Sequence, residues 1–336
     1  MMMLEQFTVE NFKAFKSLTL DDLGHINIFV GDNNVGKTCL LEAIAFSLVV
    51  DNFFKNRSTI ANINCFAWLK LERDSIEALF YSKNKVIDPR FTIALSDEEK
   101  YKFTIVPQEE SGVLHIASET LGATNTASFY GSSGNKYSLY NVLPAETVVF
   151  LTTYQEYSAL AEYYFDGCID NNREDYVLNL LKESSETRLQ RISYISNTRL
   201  RVGLAGLDHK YSLSSLGDGF SKLLGIASVL YSSDRQYLCI DEPENGFHYK
   251  TQTSFWKLLA NWSLEGYKQS FIATHSYELI SCLNDLLTKD KSLLERGLKV
   301  RVHQLKRDED DPELITVDTI TEENLTWLLE HGTEIR

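Results

Sequence analysis

Gly31-Asp32-Asn33-Asn34-Val35-Gly36-Lys37-Thr38 lies between the short apolar run Ile26 to Val30 and a segment with helical spacing, Thr38 to Leu48. Gly31, Gly36, Lys37 and Thr38 fill every fixed position of GxxxxGK[ST], and a strand before it and a helix after it are the setting this motif requires. Glycine lets the loop wrap so that successive N–H groups, those of Asn33, Asn34 and Gly36 among them, point inward. The helix that follows adds its positive end, and together they cradle phosphates. Lys37 neutralises phosphate charge, and Thr38 offers a hydroxyl to Mg2+, an ion that keeps waters and takes few protein ligands. A plain glycine-rich turn is the competing reading, and the flanking elements disfavour it.

Outward from this loop, the chain has the material for a sizeable core. Of its 336 residues, 43% are hydrophobic and 24% charged, with only five prolines, a foldable composition without the signature of disorder. A prior of roughly 150 residues per domain suggests about two domains or one large one. The net charge of −14 disfavours a protein that coats nucleic acid or an anionic membrane over its whole surface. The charge is uneven, however. Tyr154 to Thr187 carries eight acids and two bases, and His303 to Arg336 ten acids and three bases. The remainder is nearly balanced, so a DNA contact at one face stays open, and the two acidic segments are candidate docking surfaces for a basic protein.

No uninterrupted apolar run approaches the roughly 18 residues of a membrane span; the longest candidate, Cys39 to Val50, is broken by Glu42 and Ser47. The opening MMMLEQFTVENF has neither the basic nor the long apolar region of a signal peptide, so a cytoplasmic location is expected. Cys39, Cys65, Cys168, Cys239 and Cys282 are scattered and form no CxxC pair, which argues against disulfides and zinc and for small core residues.

Phe7 to Phe12 is expected as a strand. From 51 to about 145 the chain reads as a β-rich insertion, with strands at Phe91 to Leu95, Tyr101 to Val106 and Val113 to Ala117. Val148 to Thr152 is a further strand, and Tyr154 to Tyr194 reads as helical, within a lobe that extends to 204. Alternation of helix and buried strand then returns: Phe220 to Leu230 and Thr253 to Leu264 as helices, Tyr237 to Ile240 and Ser270 to Ala273 as strands. Val300 to Leu305 and Leu314 to Val317 flank an acidic turn, Asp308 to Glu313, read as solvated charge. The expectation is one α/β domain with a large central insertion.

Three further constellations carry chemistry. The apolar strand Tyr237 to Ile240 ends in Asp241 and Glu242, where an α/β sheet binds ligands. Asp241 there can hold the water shell of Mg2+ beside Thr38, and Glu242 can orient or deprotonate a water. An acidic loop after a core strand is the bland alternative. Leu213-Ser214-Ser215-Leu216-Gly217-Asp218-Gly219 opens an apolar helix and makes a second phosphate-binding end, or simply a capped helix with a flexible entry. His275 follows the strand Ser270 to Ala273 at the same sheet edge, within reach of a γ-phosphate; a structural histidine is the alternative.

This order of motifs resembles the ABC-type ATPase head of SMC, RecF and OLD-family (overcoming-lysogenization-defect) proteins, over about 1 to 50 and 205 to 336. In that resemblance GDNNVGKT is Walker A, SSLGDG the signature, LCIDEPE Walker B with its catalytic glutamate, NGFH the D-loop and THS the switch histidine. Leu216 stands where transporter-type signatures have glycine. The middle of the chain matches mainly by position, and its helical segment is too short for an SMC coiled coil. Gln155, after the strand Val148 to Thr152, takes the place of the Q-loop metal ligand, with Gln108 as the alternative.

The resemblance implies a P-loop NTPase fold and a Mg2+-dependent ATPase whose two heads close on two ATP molecules. Each nucleotide is then held by Asn33, Asn34, Gly36, Lys37 and Thr38 of one copy and by Ser215 and Gly217 of the other. Mg2+ sits on Thr38, Asp241 and Gln155, with Glu242 and His275 catalytic. The acidic clusters of a Toprim nuclease are not found, so the implied partner is a separate nuclease or toxin, as in bacterial anti-phage defence. A RecF- or SMC-like DNA clamp is the alternative. It is supported by Arg188, Arg191, Arg199 and Arg201, which are equally readable as a solvated helix face. ATP as a purely structural glue is the third reading.

Overall fold

The computed structural model describes residues 3–56, 90–95, 101–106, 113–120, 123–130, 147–153, 155–184, 186–195, 199–266 and 268–330. Cys65 and Gln108 lie outside them. In chain order the first elements are β1 (Leu4–Phe12), β2 (Phe15–Leu20), β3 (Ile26–Gly31) and α1 (Lys37–Asn56). The strands β4 (Arg90–Leu95), β5 (Tyr101–Val106), β6 (Val113–Thr120), β7 (Ala123–Tyr130) and β8 (Val148–Leu151) come next. Then follow α2 (Tyr157–Asp170), α3 (Glu174–Ser184), β9 (Leu189–Ile195), β10 (Arg199–Leu204), β11 (Lys210–Ser212), a 3-10 turn (Leu213–Leu216) and α4 (Asp218–Tyr231). The last are β12 (Tyr237–Asp241), α5 (Tyr249–Leu264), β13 (Gln269–Ala273), α6 (Tyr277–Lys289), α7 (Ser292–Glu295), β14 (Val300–Arg307), β15 (Ile315–Thr321) and α8 (Glu322–Glu330).

The central sheet has the order β15-β14-β3-β13-β12-β8, parallel throughout except for the β14–β15 hairpin. A parallel sheet is covered on both faces, so its strands are continuous apolar runs rather than alternating ones. β3, β8 and β13 are accordingly buried at every position. One face packs on α2, α4, α5 and α6, where the Trp256 indole donates a 2.8 Å hydrogen bond to the Leu279 carbonyl.

The other face packs on α1, which lies between this sheet and an antiparallel one, β2-β1-β4-β5-β6-β7. Every residue of α1 from Leu40 to Val50 is buried, as expected of a helix sandwiched between two sheets. The one charge in the stretch from Leu40 to Val50, Glu42, is 3% exposed and paired with Lys13 Nζ at 2.7 Å. α1 runs on to Asn56, past the residue 51 at which the insertion begins by sequence. The inserted strands extend the sheet of the N-terminal hairpin, β4 pairing directly with β1.

The helical reading of 154–194 holds only through Ser184. Leu189–Ile195 is a strand, pairing with β10 in the antiparallel sheet β11-β10-β9. Arg191, Arg199 and Arg201 therefore lie on strands, not on a helix face, while Arg188 precedes β9 and pairs with Glu186 at 3.0 Å. α5 begins at Tyr249, four residues ahead of expectation. Cys168 and Cys239 are buried, whereas Cys39 and Cys282 are partly exposed.

Candidate active site

β3, β13, β12 and β8 run parallel and end on one edge, where the chain leaves each strand into a loop. Ligands of open α/β sheets bind outside these carboxyl ends. β3 delivers the loop 31–38, β12 delivers Asp241 and Glu242, β13 delivers Thr274 and His275, and the turn after β8 carries Thr153 and Gln155.

The loop 31–38 needs its glycines for space as well as for backbone freedom. Gly31 (φ 141°) has Leu305 of β14 so close that a Cβ would overlap the Leu305 carbonyl oxygen. At Gly36 (φ 104°) a Cβ would meet the Phe15 ring at 3.0 Å and Ala14 at 3.1 Å. Asn34 takes φ 65°, a left-handed conformation that asparagine tolerates. Its carbonyl accepts a 3.2 Å hydrogen bond from Arg307. Lys37 Nζ donates to the carbonyls of Gly31 (2.8 Å) and Asp32 (2.9 Å). Burial lowers the pKa of Lys37, opposed by the carboxylates of Glu242, Asp241, Asp32 and Glu244.

Thr38 Oγ1 donates a 3.0 Å hydrogen bond to Asp241 Oδ2. A hydroxyl and a carboxylate brought together are hard oxygen donors. They fit a cation such as Mg2+, which takes one or two carboxylates and completes its shell with water and phosphate. Thr153 Oγ1 reaches the Asp241 carbonyl at 3.4 Å, which ties the turn that carries Gln155 to the same place.

Glu242 has φ 48°, an uncommon conformation for a residue with a side chain. Its N–H donates to the Ala273 carbonyl at 2.8 Å, and its Oε2 accepts from Asn245 at 3.1 Å. Oε1 stands 3.3 Å from His275 Nδ1. Glu244, with its side chain 8% exposed, lies 3.7 Å from the same nitrogen and accepts a 2.6 Å bond from Thr274 Oγ1. Burial raises the Glu244 pKa. His275 is half exposed between the two carboxylates. It opens on a cleft of about 470 Å³ lined by Gly31, Asp32, Asn33, Glu244, His275 and Ser276. Chemically, the group offers a glycine loop at a helix N-terminus, a hydroxyl–carboxylate pair suited to a hard cation, a carboxylate able to take a proton from water, and an imidazole beside it.

Ser215 and Gly217 are not in this cluster. Ser215 Oγ is 2.7 Å from Ser212 Oγ, in the 3-10 turn, and Gly217 (φ 90°) opens α4 with Ser214, Ser215, Gly217 and Asp218 all exposed. They form a separate helix N-terminus.

Three residues close to these groups, Glu244, Arg307 and Lys222, have no role that follows from the motifs. Lys222 alone had a visible signal, as the single charge in the apolar run Phe220 to Leu230. The Asn34 carbonyl that Arg307 reaches and the carbonyls that Lys222 reaches lie far along the chain and leave no spacing pattern.

The family model of an AAA ATPase domain matches this chain at residues 2–198 and 153–280. An ATP/GTP phosphatase of Helicobacter pylori is 24% identical over 371 residues, covering 98% of each chain. RecF of Lactobacillus acidophilus is 51% identical over 45 residues, 13% of this chain and 12% of that protein. The Rad50 ATPase of Saccharolobus solfataricus is 27% identical over 126 residues, 34% and 14% respectively. Among solved structures, the Smc head domain of Pyrococcus furiosus bound to the C-terminal domain of ScpA superposes with a TM-score of 0.56 at 11% identity, covering 99% of this chain and all of that one. Among the described residues, no helix is long and apolar enough to cross a membrane.

Proposed function

Because this chain belongs to the AAA ATPase domain family, with an ATPase core of the SMC, RecF and Rad50 type, we propose that two copies close on two ATP molecules and use hydrolysis to switch a separate effector protein. The observation that carries this reading is the convergence of Thr38, Asp241, Glu242 and His275 at the mouth of the 31–38 loop.

In this reading Lys37 and the N–H groups of Asn33, Asn34 and Gly36 bind the β- and γ-phosphates. Thr38 and Asp241, with Gln155 from the turn after β8, hold Mg2+, which when bound neutralises phosphate charge. Glu242 takes the proton of the attacking water, and His275 hydrogen-bonds the γ-phosphate oxygens. Ser215 and Gly217 supply the second phosphate-binding end. Its exposure, away from the cluster of its own chain, is what supports a nucleotide offered by a second copy. Closure then depends on γ-phosphate contacts that are lost on hydrolysis, a two-state element able to drive a partner.

The effector is a separately encoded nuclease or toxin in a cytoplasmic, bacterial anti-phage setting, as the OLD resemblance implies. Phosphate release from ATP, with and without Mg2+, tests the catalytic part: Glu242→Gln should abolish turnover that depends on Mg2+. Wild-type turnover that survives chelation of Mg2+ would count against it.

One observation favours the DNA-clamp reading. On the sheet β11-β10-β9 the apolar side chains Leu200, Val202 and Leu204 point to the core, which leaves Arg199 and Arg201 of β10 on the opposite face with Arg191 and Lys210 of the flanking strands. A salt-titrated binding assay with duplex DNA tests it, since genuine phosphate contacts give a steep salt dependence.

A further inference from the structure

Lys222, on the second turn of α4, is 5% exposed. Its Nζ donates to the main-chain carbonyls of Glu242 at 3.3 Å and Asn245 at 3.1 Å. It also lies over the rings of Tyr157 at 5.1 Å and Phe247 at 5.3 Å. Burial pulls its pKa down to about 8, against the pull of the Glu244 and Glu242 carboxylates. A buried ammonium is tolerated only where hydrogen bonds and π faces replace its water. Here those replacements reach the α4 side chain from two places at once: the 242–247 loop and the start of α2 just after Gln155.

The two carbonyls bracket the turn in which Glu242 holds its left-handed backbone. Such conformations persist only when the surroundings over-determine them. α4 touches the same loop a second time, since a Cβ on Gly219 would lie 2.9 Å from the Gly246 carbonyl oxygen. The helix that begins at Asp218 thus meets the loop at two points within its first two turns.

We propose that Lys222 is a positioning residue for Glu242, coupling the Ser215–Gly217 end of α4 to the carboxylate that faces His275. The proposal rests on the reading of Glu242 as the proton acceptor. A nucleotide seated at the N-terminus of α4 shifts the helix, and Lys222 carries that shift to the Glu242 main chain.

The test is ATP turnover by the full chain carrying Lys222→Met, which keeps an unbranched side chain one atom shorter and removes the donors and the charge, with Glu242→Gln as reference. Thermal melting and binding of a fluorescent ATP analogue report that each variant is folded. The expected result for Lys222→Met is a fall in kcat on the order of 10²-fold, the size expected when a reacting group is misplaced by about 1 Å. KM for ATP stays unchanged, and Lys222→Arg recovers most of the loss. Should Lys222→Met not fold, Lys222→Gln, with one donor left, takes its place with the same expectation. Wild-type turnover in the Lys222 variant beside an inactive Glu242→Gln overturns the coupling alone. A Glu242→Gln protein that turns over like wild type overturns the assignment of Glu242 as well. Parallel loss of nucleotide binding and kcat, with no recovery in Lys222→Arg, overturns positioning in favour of packing.

Discussion

Thr38 and Asp241 lie 203 residues apart and meet through a 3.0 Å hydrogen bond from hydroxyl to carboxylate. The contact exists because β3 and β12 flank β13 in parallel, so the residues leaving their ends share one edge. Thr38→Val and Asp241→Asn should each cut Mg2+-dependent ATP turnover on the order of 10²-fold or more. Stability should fall by only about 1 kcal/mol, the usual worth of one hydrogen bond. Steady-state phosphate release and urea unfolding of each variant check the split.

Gly31→Ala should destabilise the fold as well as the loop. Its Cβ would overlap the Leu305 carbonyl oxygen at φ 141°. Around Gly206 (φ 77°) nothing lies within 4 Å of where a Cβ would stand, so Gly206→Ala meets backbone strain alone. The expected cost is about 1 kcal/mol at Gly206 and clearly more at Gly31. Urea unfolding of the two variants side by side measures the difference.

Lys13 and Glu42 form a pair 2.7 Å apart with exposures of 14% and 3%. Lys13→Met alone should cost about 2 kcal/mol, because it removes the 2.7 Å charged donor of a carboxylate that is 3% exposed. The double variant Lys13→Met, Glu42→Met should recover much of that loss. A double-mutant cycle in urea gives the coupling directly.

His303, fully buried on β14, has its pKa pushed down to about 4, chiefly by burial and secondarily by Arg301. The unfolded chain protonates this histidine near pH 6.5 while the folded chain does not. Stability should therefore rise with pH between about 4 and 6.5 and be lost as pH falls through that window, by about 3 kcal/mol for this group. His303→Gln should flatten that part of the profile relative to wild type, read as the difference in urea midpoints at each pH.

The loop 31–38 and the strands β3, β12 and β13 were legible because a parallel sheet writes its strands as short apolar runs and the phosphate loop has fixed spacing. β9 was not. Leu189, Ile192 and Ile195 recur every third residue, which mimics a helix face, yet Ile195 is 45% exposed and a register shift near Gln190 breaks the strand alternation. The start of α5 was hidden because His248, before its first turn, makes no side-chain capping bond. At the site, Asp241, Glu242 and His275 could be named from strand ends. The link from Lys222 to the Glu242 carbonyl could not, since it joins a side chain to backbone across 20 residues with no recurring pattern.

Closure of two copies on ATP is tested most directly by the mass of the Glu242→Gln protein in analytical ultracentrifugation with ATP and Mg2+, alone and combined with Ser215→Arg. Glu242→Gln should lose turnover and double in mass only when ATP is present. Adding Ser215→Arg should return it to the mass seen without nucleotide. A Glu242→Gln protein that hydrolyses ATP like wild type, or whose mass does not respond to ATP, would contradict the proposed mechanism.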